Sequence, residues 1–512
     1  MIINGALPKL ALLLILAVYG LFLARPLNLV TADLGRHIKN GELILSGHYE
    51  VLKTNYYSYT QSDFPVLNHH WLSGVIFYAV WKISGFVGLH LFFIFLSLAA
   101  FLIFFDIARK KTGVGLAAVM AIFIIPLLLE RDEIRPEIFS YLFSGIFLWL
   151  MLKHREGRVQ WQTLLILPII EILWVNLHIY FFLGPVIMGV FMLEELIFKN
   201  SRAFKDLGIL LPTVVLSTLI NPHGFKGMLA PFSIFKNFGY RLAENQSVWF
   251  IEKILPNPNY LIFKIIFLIL ALSFVFVFLR NRRELNISYL LLAAGFSAAG
   301  WLAIRNFAIF GFFALPIAAG NWAAIFKLKP KTECWLNRTA ITTLILAVFI
   351  MLSGELQTIY PKSSKPHLGL EKGNDNALEF FKTNKLAGPI FNNYDIGGYL
   401  IYGLYPQEKI FVDNRPEAYP ADFFTEIYIP MQESKKIWDE QNNFYKLNAI
   451  IFSYRDYTPW GQTFFTRILT DPEWTAVFAD KRVIILLKNN DANKDIIAKY
   501  GKSLSIKHQK NN

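Results

Sequence analysis

Asp33 is the residue from which chemistry is most readily argued. It follows the first long apolar run and opens an amphipathic stretch in which Leu34, Ile38, Leu43 and Leu45 are apolar and Arg36, Lys39 and Glu42 polar. A carboxylate placed there can serve as a general base toward a hydroxyl group, and it equally suits the N-cap of the helix that it precedes. Arg135 and Arg305 are the second ingredient, because a guanidinium fork matches phosphate oxygens and keeps its charge when partly buried. Arg131 and Arg36 are weaker candidates of the same kind, and Arg135 before Pro136 also reads as an interfacial anchor. His37, His69, His70, His178 and His223, with Asn176, Asn221 and Glu244, supply further polar groups that could orient a substrate or contact a phosphate. Adjacent histidines on a helix point in different directions, so His69 and His70 are not expected to share an ion, and no metal site is expected.

These residues sit in a chain of 512 residues that is 54% hydrophobic and 17% charged, with a mean hydropathy of +0.41. That composition belongs to a polytopic membrane protein. The single cysteine, Cys334, excludes a disulfide framework and any cysteine-rich metal site. A membrane helix needs roughly 20 mostly apolar residues. The sequence offers eleven such segments, at about 9–30, 86–106, 114–130, 137–153, 162–177, 179–198, 207–221, 259–279, 286–304, 306–326 and 339–356. The first reads as a retained signal-anchor helix. Trp71–Ser84 is apolar but short, and reads as a membrane-surface or re-entrant helix.

Basic residues set the expected orientation. Arg109-Lys110-Lys111, Lys153/Arg155/Arg158, Lys199/Arg202/Lys205, Arg280/Arg282/Arg283 and Lys327/Lys329/Lys331 fall in alternate loops, which places the N-terminus inside and the C-terminus outside. Residues 357–512 carry 20 Lys+Arg against 18 Asp+Glu, so most of the +13 net charge faces anionic lipid and no nucleic-acid partner is expected. On this topology the unusual polar groups share the outer side: Asp33 and His37, Glu130–Pro136, Asn176 and His178, Asn221–Gly224, Glu244-Asn245 and Arg305-Asn306. Glu171 is the exception, an acid near the middle of a span, where a buried ion pair, a hydrogen-bonded glutamate and a substrate contact all remain open.

The expected organisation is a membrane module over 1–356, including a first outer loop over 31–85 with surface helices. A small α/β domain outside the membrane follows over 357–490, with a polar tail over 491–512. In the α/β domain short apolar strands interleave with helices. Gly397-Gly398 and Asp413-Asn414-Arg415 are its most site-like features, and each also reads as a turn.

The ordered set of motifs resembles the GT-C superfamily of polyprenyl-phosphate-sugar-dependent glycosyltransferases, such as protein O-mannosyltransferases and aminoarabinose transferases. The likeness lies in Ala32-Asp33-Leu34, Asn68-His69-His70-Trp71-Leu72, the run Arg135–Phe143, Trp174–His178, Leu219–Gly224 and the tail stretch Gly388–Tyr399. It is nearest to uncharacterised prokaryotic members and covers nearly the whole chain. Many members carry paired acids in the first loop, whereas here Ala32 precedes Asp33, which leaves room for Glu130, Asp132 or Glu244 to complete the site.

The resemblance implies an inverting glycosyltransferase in the cytoplasmic membrane of a prokaryote. Its donor would be a polyprenyl-phosphate-linked sugar, its acceptor a glycan, lipid or protein, and a divalent cation could take part. Asp33 would be the base and the arginines would hold the phosphate. A lipid-linked glycan flippase would instead line several spans with charge, and a non-catalytic scaffold would leave the outer polar clusters without a role.

Overall fold

The computed structural model describes residues 3–30, 32–233, 236–280, 282–326, 329–353 and 365–501. Thr31, Lys327, the end of the last expected span (354–356), the first residues of the expected α/β domain (357–364) and residues 502–512 of the expected polar tail lie outside the described residues. The chain divides into two compact units. One comprises Met1–Pro26, Phe86–Pro231 and Leu242–Gly369; the other comprises Leu27–Gly85, Phe232–Arg241 and Leu370–Asn512.

The first unit is helical, and each of the eleven expected segments contains a helix. Among the described residues seven helices are long and apolar enough to cross a membrane by length and composition, while Trp161–Leu177 and Ile287–Leu302 are apolar but shorter. Glu137–Arg155 and Ser201–Ser217 are the remaining two. Phe307–Ile325 is apolar all round because it is enclosed: Phe307, Phe310, Phe312, Phe313 and Leu315 are all buried. It packs against Val114–Leu128 and Pro258–Arg280. The outward side of Pro258–Arg280 presents Leu268, Leu272, Phe276 and Leu279, a continuous apolar surface of the kind that lipid covers.

The long helix Trp71–Thr112 is broken at Gly85, whose φ of 63° and ψ of −167° no helical residue adopts. The break separates a helical piece over 71–84, in the second unit, from one over 86–112, in the first.

The second unit joins the first-loop helices to a four-stranded mixed sheet. The strands are β1 (Ile390–Asn392), β2 (Ala449–Ser453), β3 (Trp474–Ala479) and β4 (Val483–Lys488), in the order β1-β2-β4-β3. β1 runs parallel to β2, and the other pairs are antiparallel. The inner strands β2 and β4 are covered on both faces, so their sequences are almost continuously apolar. The edge strand β3 is only partly buried. Lys409–Val412, which reads as a further strand-like piece, contributes a single bridge from Ile410 to Ser58.

The helix Leu34–Leu45 has the expected amphipathic pattern but is enclosed on more than its apolar face. Nine of its residues are buried, Arg36, His37 and Asn40 among them. Two glycines explain this. A Cβ at Gly35 would stand 2.8 Å from the Gly398 carbonyl oxygen, and one at Gly41 would stand 2.1 Å from that of Gly74. The helix is therefore held backbone to backbone between helix Gly397–Leu404 on one side and the 71–84 piece on the other.

Candidate active site

The candidate residues fall into two groups, one in each unit. Asp33, His37, His69 and His70 belong to the second unit; Arg135, Asn176, His178, Asn221, His223, Glu244 and Arg305 belong to the first.

Asp33 occupies the N-cap position of Leu34–Leu45, yet its side chain makes no capping bond to that helix. Its carboxylate instead accepts a hydrogen bond from the Asn414 amide, and Arg36 Nη2 lies 3.5 Å from the same oxygen, Oδ1. Arg36 Nε donates to Asn414 Oδ1 at 3.4 Å, which closes a triangle. One turn further along, His37 is buried with its ring edge-on to His70, 5.7 Å between centroids, and to Phe77. The His69 and His70 rings lie 4.0 Å apart, and His69 Nδ1 is 3.0 Å from the Leu67 carbonyl oxygen. Asp395, just past β1, lies in the same electrostatic neighbourhood. Burial, and then the charges of Asp456 and Asp33, push its carboxyl up to about 7.

In the first unit three distant stretches of chain meet in one ion network. Arg131 is forked onto Glu137, with Nε to Oε2 at 2.7 Å, and donates through Nη1 to Glu244 at 2.5 Å. Arg305 Nη2 reaches Glu137 at 3.1 Å, while its Nη1 reaches Asn245 Oδ1 at 3.0 Å and lies 3.6 Å from Glu244. Arg135 pairs with Glu133 at 2.8 Å and stands 3.7 Å from Glu244. Burial raises the Glu244 carboxyl, but Arg131, Arg305 and Arg135 together outweigh that and hold it at about 2. Arg131 and Glu137 are both deeply buried, whereas Arg135 and Glu133 are the exposed edge of the network.

The other candidates are tied into the scaffold. His178 Nδ1 is 2.7 Å from Ser140 Oγ, which also accepts from Trp174 Nε1 at 2.7 Å. The Asn176 amide donates to the carbonyls of Ile172 and Ile220, at 2.7 and 2.8 Å. Asn221 donates to Thr218 and Gly224 and accepts from the His223 backbone N–H at 2.8 Å, so Asn221–Gly224 forms a self-bonded turn. Among the described residues no group of three or more His, Cys, Asp or Glu is arranged to hold a metal ion.

Sequence reasoning placed Asn414 and Asn245 in site-like clusters without giving either a role, and passed over Glu137 and Asp395. Asn414 carried a signal, since Asp413-Asn414-Arg415 was site-like but also read as a turn. Glu137 reads as an ordinary first-turn acid until Arg131 and Arg305 are seen to converge on it.

No protein-family model matches the sequence, and no curated protein matches it. Solved structures do match. The archaeal oligosaccharyltransferase AglB from Archaeoglobus fulgidus, in complex with an inhibitory peptide and a dolichol-phosphate, aligns at 13% identity over 88% of this chain and 69% of its own, with a TM-score of 0.56. ArnT from Cupriavidus metallidurans, bound to undecaprenyl phosphate, aligns at 13% identity over 94% of this chain and 97% of its own, with a TM-score of 0.52. This is the GT-C fold. The likeness spans both units, and the GT-C arrangement of apolar helices with a small C-terminal sheet is the one read from the sequence.

Proposed function

We propose that the protein is a membrane glycosyltransferase that moves a sugar from a polyprenyl-phosphate carrier to an acceptor at the outer face of a prokaryotic cytoplasmic membrane. The observation that carries this reading is the condition of Asp33. In a chain with the GT-C fold, the acid of the first loop is not consumed in capping its helix but is held by an amide and a guanidinium. A carboxylate so held is a fixed base. Two structures that share the fold contain dolichol-phosphate and undecaprenyl phosphate, which supports the class of carrier.

The reaction is a single displacement. The acceptor hydroxyl oxygen bonds to the anomeric carbon as its proton passes to Asp33. The bond from that carbon to the phosphate oxygen breaks, and the electron pair leaves on the polyprenyl phosphate. Configuration at the anomeric carbon inverts. Arg135 and Arg305 are assigned to the phosphate. The Arg135–Glu133 pair is partly exposed, and such pairs are worth about 0–1 kcal/mol, so exchanging that carboxylate for a phosphate costs little. Arg305 Nε is buried with no hydrogen-bond partner among the described residues, which leaves a donor for an incoming oxyanion. Residues 131–137, 244–245 and 305 share one network, in keeping with a topology that puts them on the same side of the membrane.

The test is transfer of radiolabelled sugar from a panel of undecaprenyl-phosphate monosaccharides, by purified protein in liposomes, to membrane lipid and protein acceptors. Asp33→Asn is expected to lower the rate by roughly 100-fold or more, the usual worth of a positioned base. Transfer at the wild-type rate by that variant would remove Asp33 from the reaction.

A further inference from the structure

One side chain that touches Asp33 comes from a position 381 residues further along the chain. Asn414 donates from Nδ2 to Asp33 Oδ1 and accepts at Oδ1 from Arg36 Nε. A carboxylate only accepts and a guanidinium only donates, so the group between them must do both, and a side-chain amide is the neutral group that does. Neutrality matters here: an amide fixes a carboxylate without quenching its charge as a second cation would.

Asn414 is itself held from both sides. Arg415 clasps Asp413 through Nε to Oδ1 at 2.9 Å and Nη2 to Oδ2 at 2.5 Å, and it reaches Asn55 Oδ1 at 3.1 Å. The Arg415 backbone N–H also donates to Asp413 Oδ1, at 3.0 Å, and the Asp413 N–H donates to the Tyr419 hydroxyl at 2.9 Å. Asp413 and Arg415 are both buried, whereas Asn414 between them is half-exposed. The glycine pair completes the arrangement. A Cβ at Gly397 would stand 2.4 Å from Asp413 Cα, and one at Gly398 would stand 3.1 Å from the Ala32 carbonyl oxygen. A larger residue at Gly397 would push the 413–415 turn away, and one at Gly398 would need the Ala32 carbonyl to give by a few tenths of an ångström.

We infer that Asn414 is a positioning residue for Asp33, and that the turn Asp413-Asn414-Arg415 is a rigid bracket which the C-terminal part of the chain supplies to the base. The inference rests on the glycosyltransferase reading for what Asp33 does, and on the contacts alone for what Asn414 does to it. Among the described residues, the charged or titratable groups facing Asp33 include Arg36 from its own helix, and Asp395 and Tyr394 from the stretch after β1.

Two readouts separate those footings. The first needs no donor: water-soluble carbodiimide with glycine ethyl ester labels protonated carboxyls, and peptide mass spectrometry reports labelling of Asp33 against pH, with exposed Asp63 as control. Asn414→Asp sets a second carboxyl beside the first, so the pair keeps a proton to higher pH and labelling of Asp33 is expected to extend to higher pH than in the wild type, while that of Asp63 stays in place. Asn414→Ala is expected to label faster with a smaller displacement. The second readout is the acidic limb of the transfer rate for the same variants, which is expected to move with the labelling midpoint while KM for the donor holds. A labelling profile identical in wild type and both variants overturns the inference. Shifted labelling, in a wild-type protein that transfers no sugar from any donor in the panel, upholds the bracket and overturns the glycosyltransferase reading instead.

Discussion

Glu171 and Gly184 fit each other across two helices of the first unit: a Cβ at Gly184 would lie 2.4 Å from Glu171 Oε2 and 3.0 Å from the Phe147 ring. Glu171 is fully buried, and neither of its carboxylate oxygens has a hydrogen-bond partner among the described residues. The missing side chain at Gly184 is what makes room for it. Gly184→Ala is therefore expected to destabilise the protein by about 1–3 kcal/mol, the usual cost of overpacking a filled interior. Adding Glu171→Ala to that variant should recover part of the loss, because the new methyl group then meets space. Thermal unfolding of the detergent-solubilised variants measures both, and equal melting temperatures for Gly184→Ala and the double variant would contradict the steric account.

The ion network of the first unit predicts unequal effects from residues of the same type. Glu137 is buried and holds two arginines at once. Glu137→Ala takes a buried carboxylate from both guanidiniums at once, a change expected to cost about 3–5 kcal/mol. Arg135→Ala removes a partly exposed pair and should cost less than about 1 kcal/mol in stability. On the proposed function, Arg135→Ala should still raise KM for the lipid-linked donor. Chemical denaturation beside transfer kinetics resolves the two, and an Arg135→Ala variant as unstable as Glu137→Ala would show the network to be one structural unit.

The helices were readable because apolar runs of membrane length leave few alternatives, and the strands because β2 and β4 are almost continuously apolar. Asp33, Arg135 and Arg305 stand out as candidates from residue type and place relative to those runs, and their roles belong to the proposal above. Other features were not. Asn414 meets Asp33 across 381 positions of sequence, and no local pattern distinguishes an asparagine that fixes a carboxylate from one that forms a turn. Arg36 ranks behind Arg135 and Arg305 in the sequence because those two sit at the outer membrane boundary, and its contact with Asn414, far along the chain, leaves no local signal. Asn176 and Asn221 looked functional from their polarity in an apolar setting, and the structure has their amides bonded to backbone carbonyls.

Asp395 and Glu244 predict opposite pH dependences. The folded-state carboxyl of Asp395 is raised to about 7 by burial, Asp456 and Asp33. Its contribution to stability is thus fully present below the ordinary carboxyl range and is lost as the pH rises from about 4 to about 7. Asp395→Asn should flatten that decline. Glu244 is depressed to about 2, because the three arginines outweigh its burial. Its contribution is present above the ordinary range and disappears as the pH falls from about 4 toward 2. Melting temperature against pH for wild type, Asp395→Asn and Glu244→Gln checks both signs. A decline between pH 4 and 7 that persists unchanged in Asp395→Asn would assign it to another group.

Gly41 offers a test of how the helix that follows Asp33 is placed. A Cβ there would stand 2.1 Å from the Gly74 carbonyl oxygen, 2.6 Å from its carbon and 2.7 Å from Tyr78 Cβ. Two of those neighbours are backbone atoms, so no side-chain rotation relieves the clash, and Leu34–Leu45 must move away from the 71–84 piece. That displacement pushes Asp33 and Arg36 out of register with Asn414, which is fixed on its own bracket. Gly41→Ala is accordingly expected to insert into membranes, to lose about 1–3 kcal/mol of stability, and to lose sugar transfer out of proportion to that loss. The carbodiimide profile of Asp33 should change in the same direction as in Asn414→Ala. A Gly41→Ala variant with wild-type transfer and wild-type Asp33 labelling would mean that the helix can give way at Gly41 without moving its first turn.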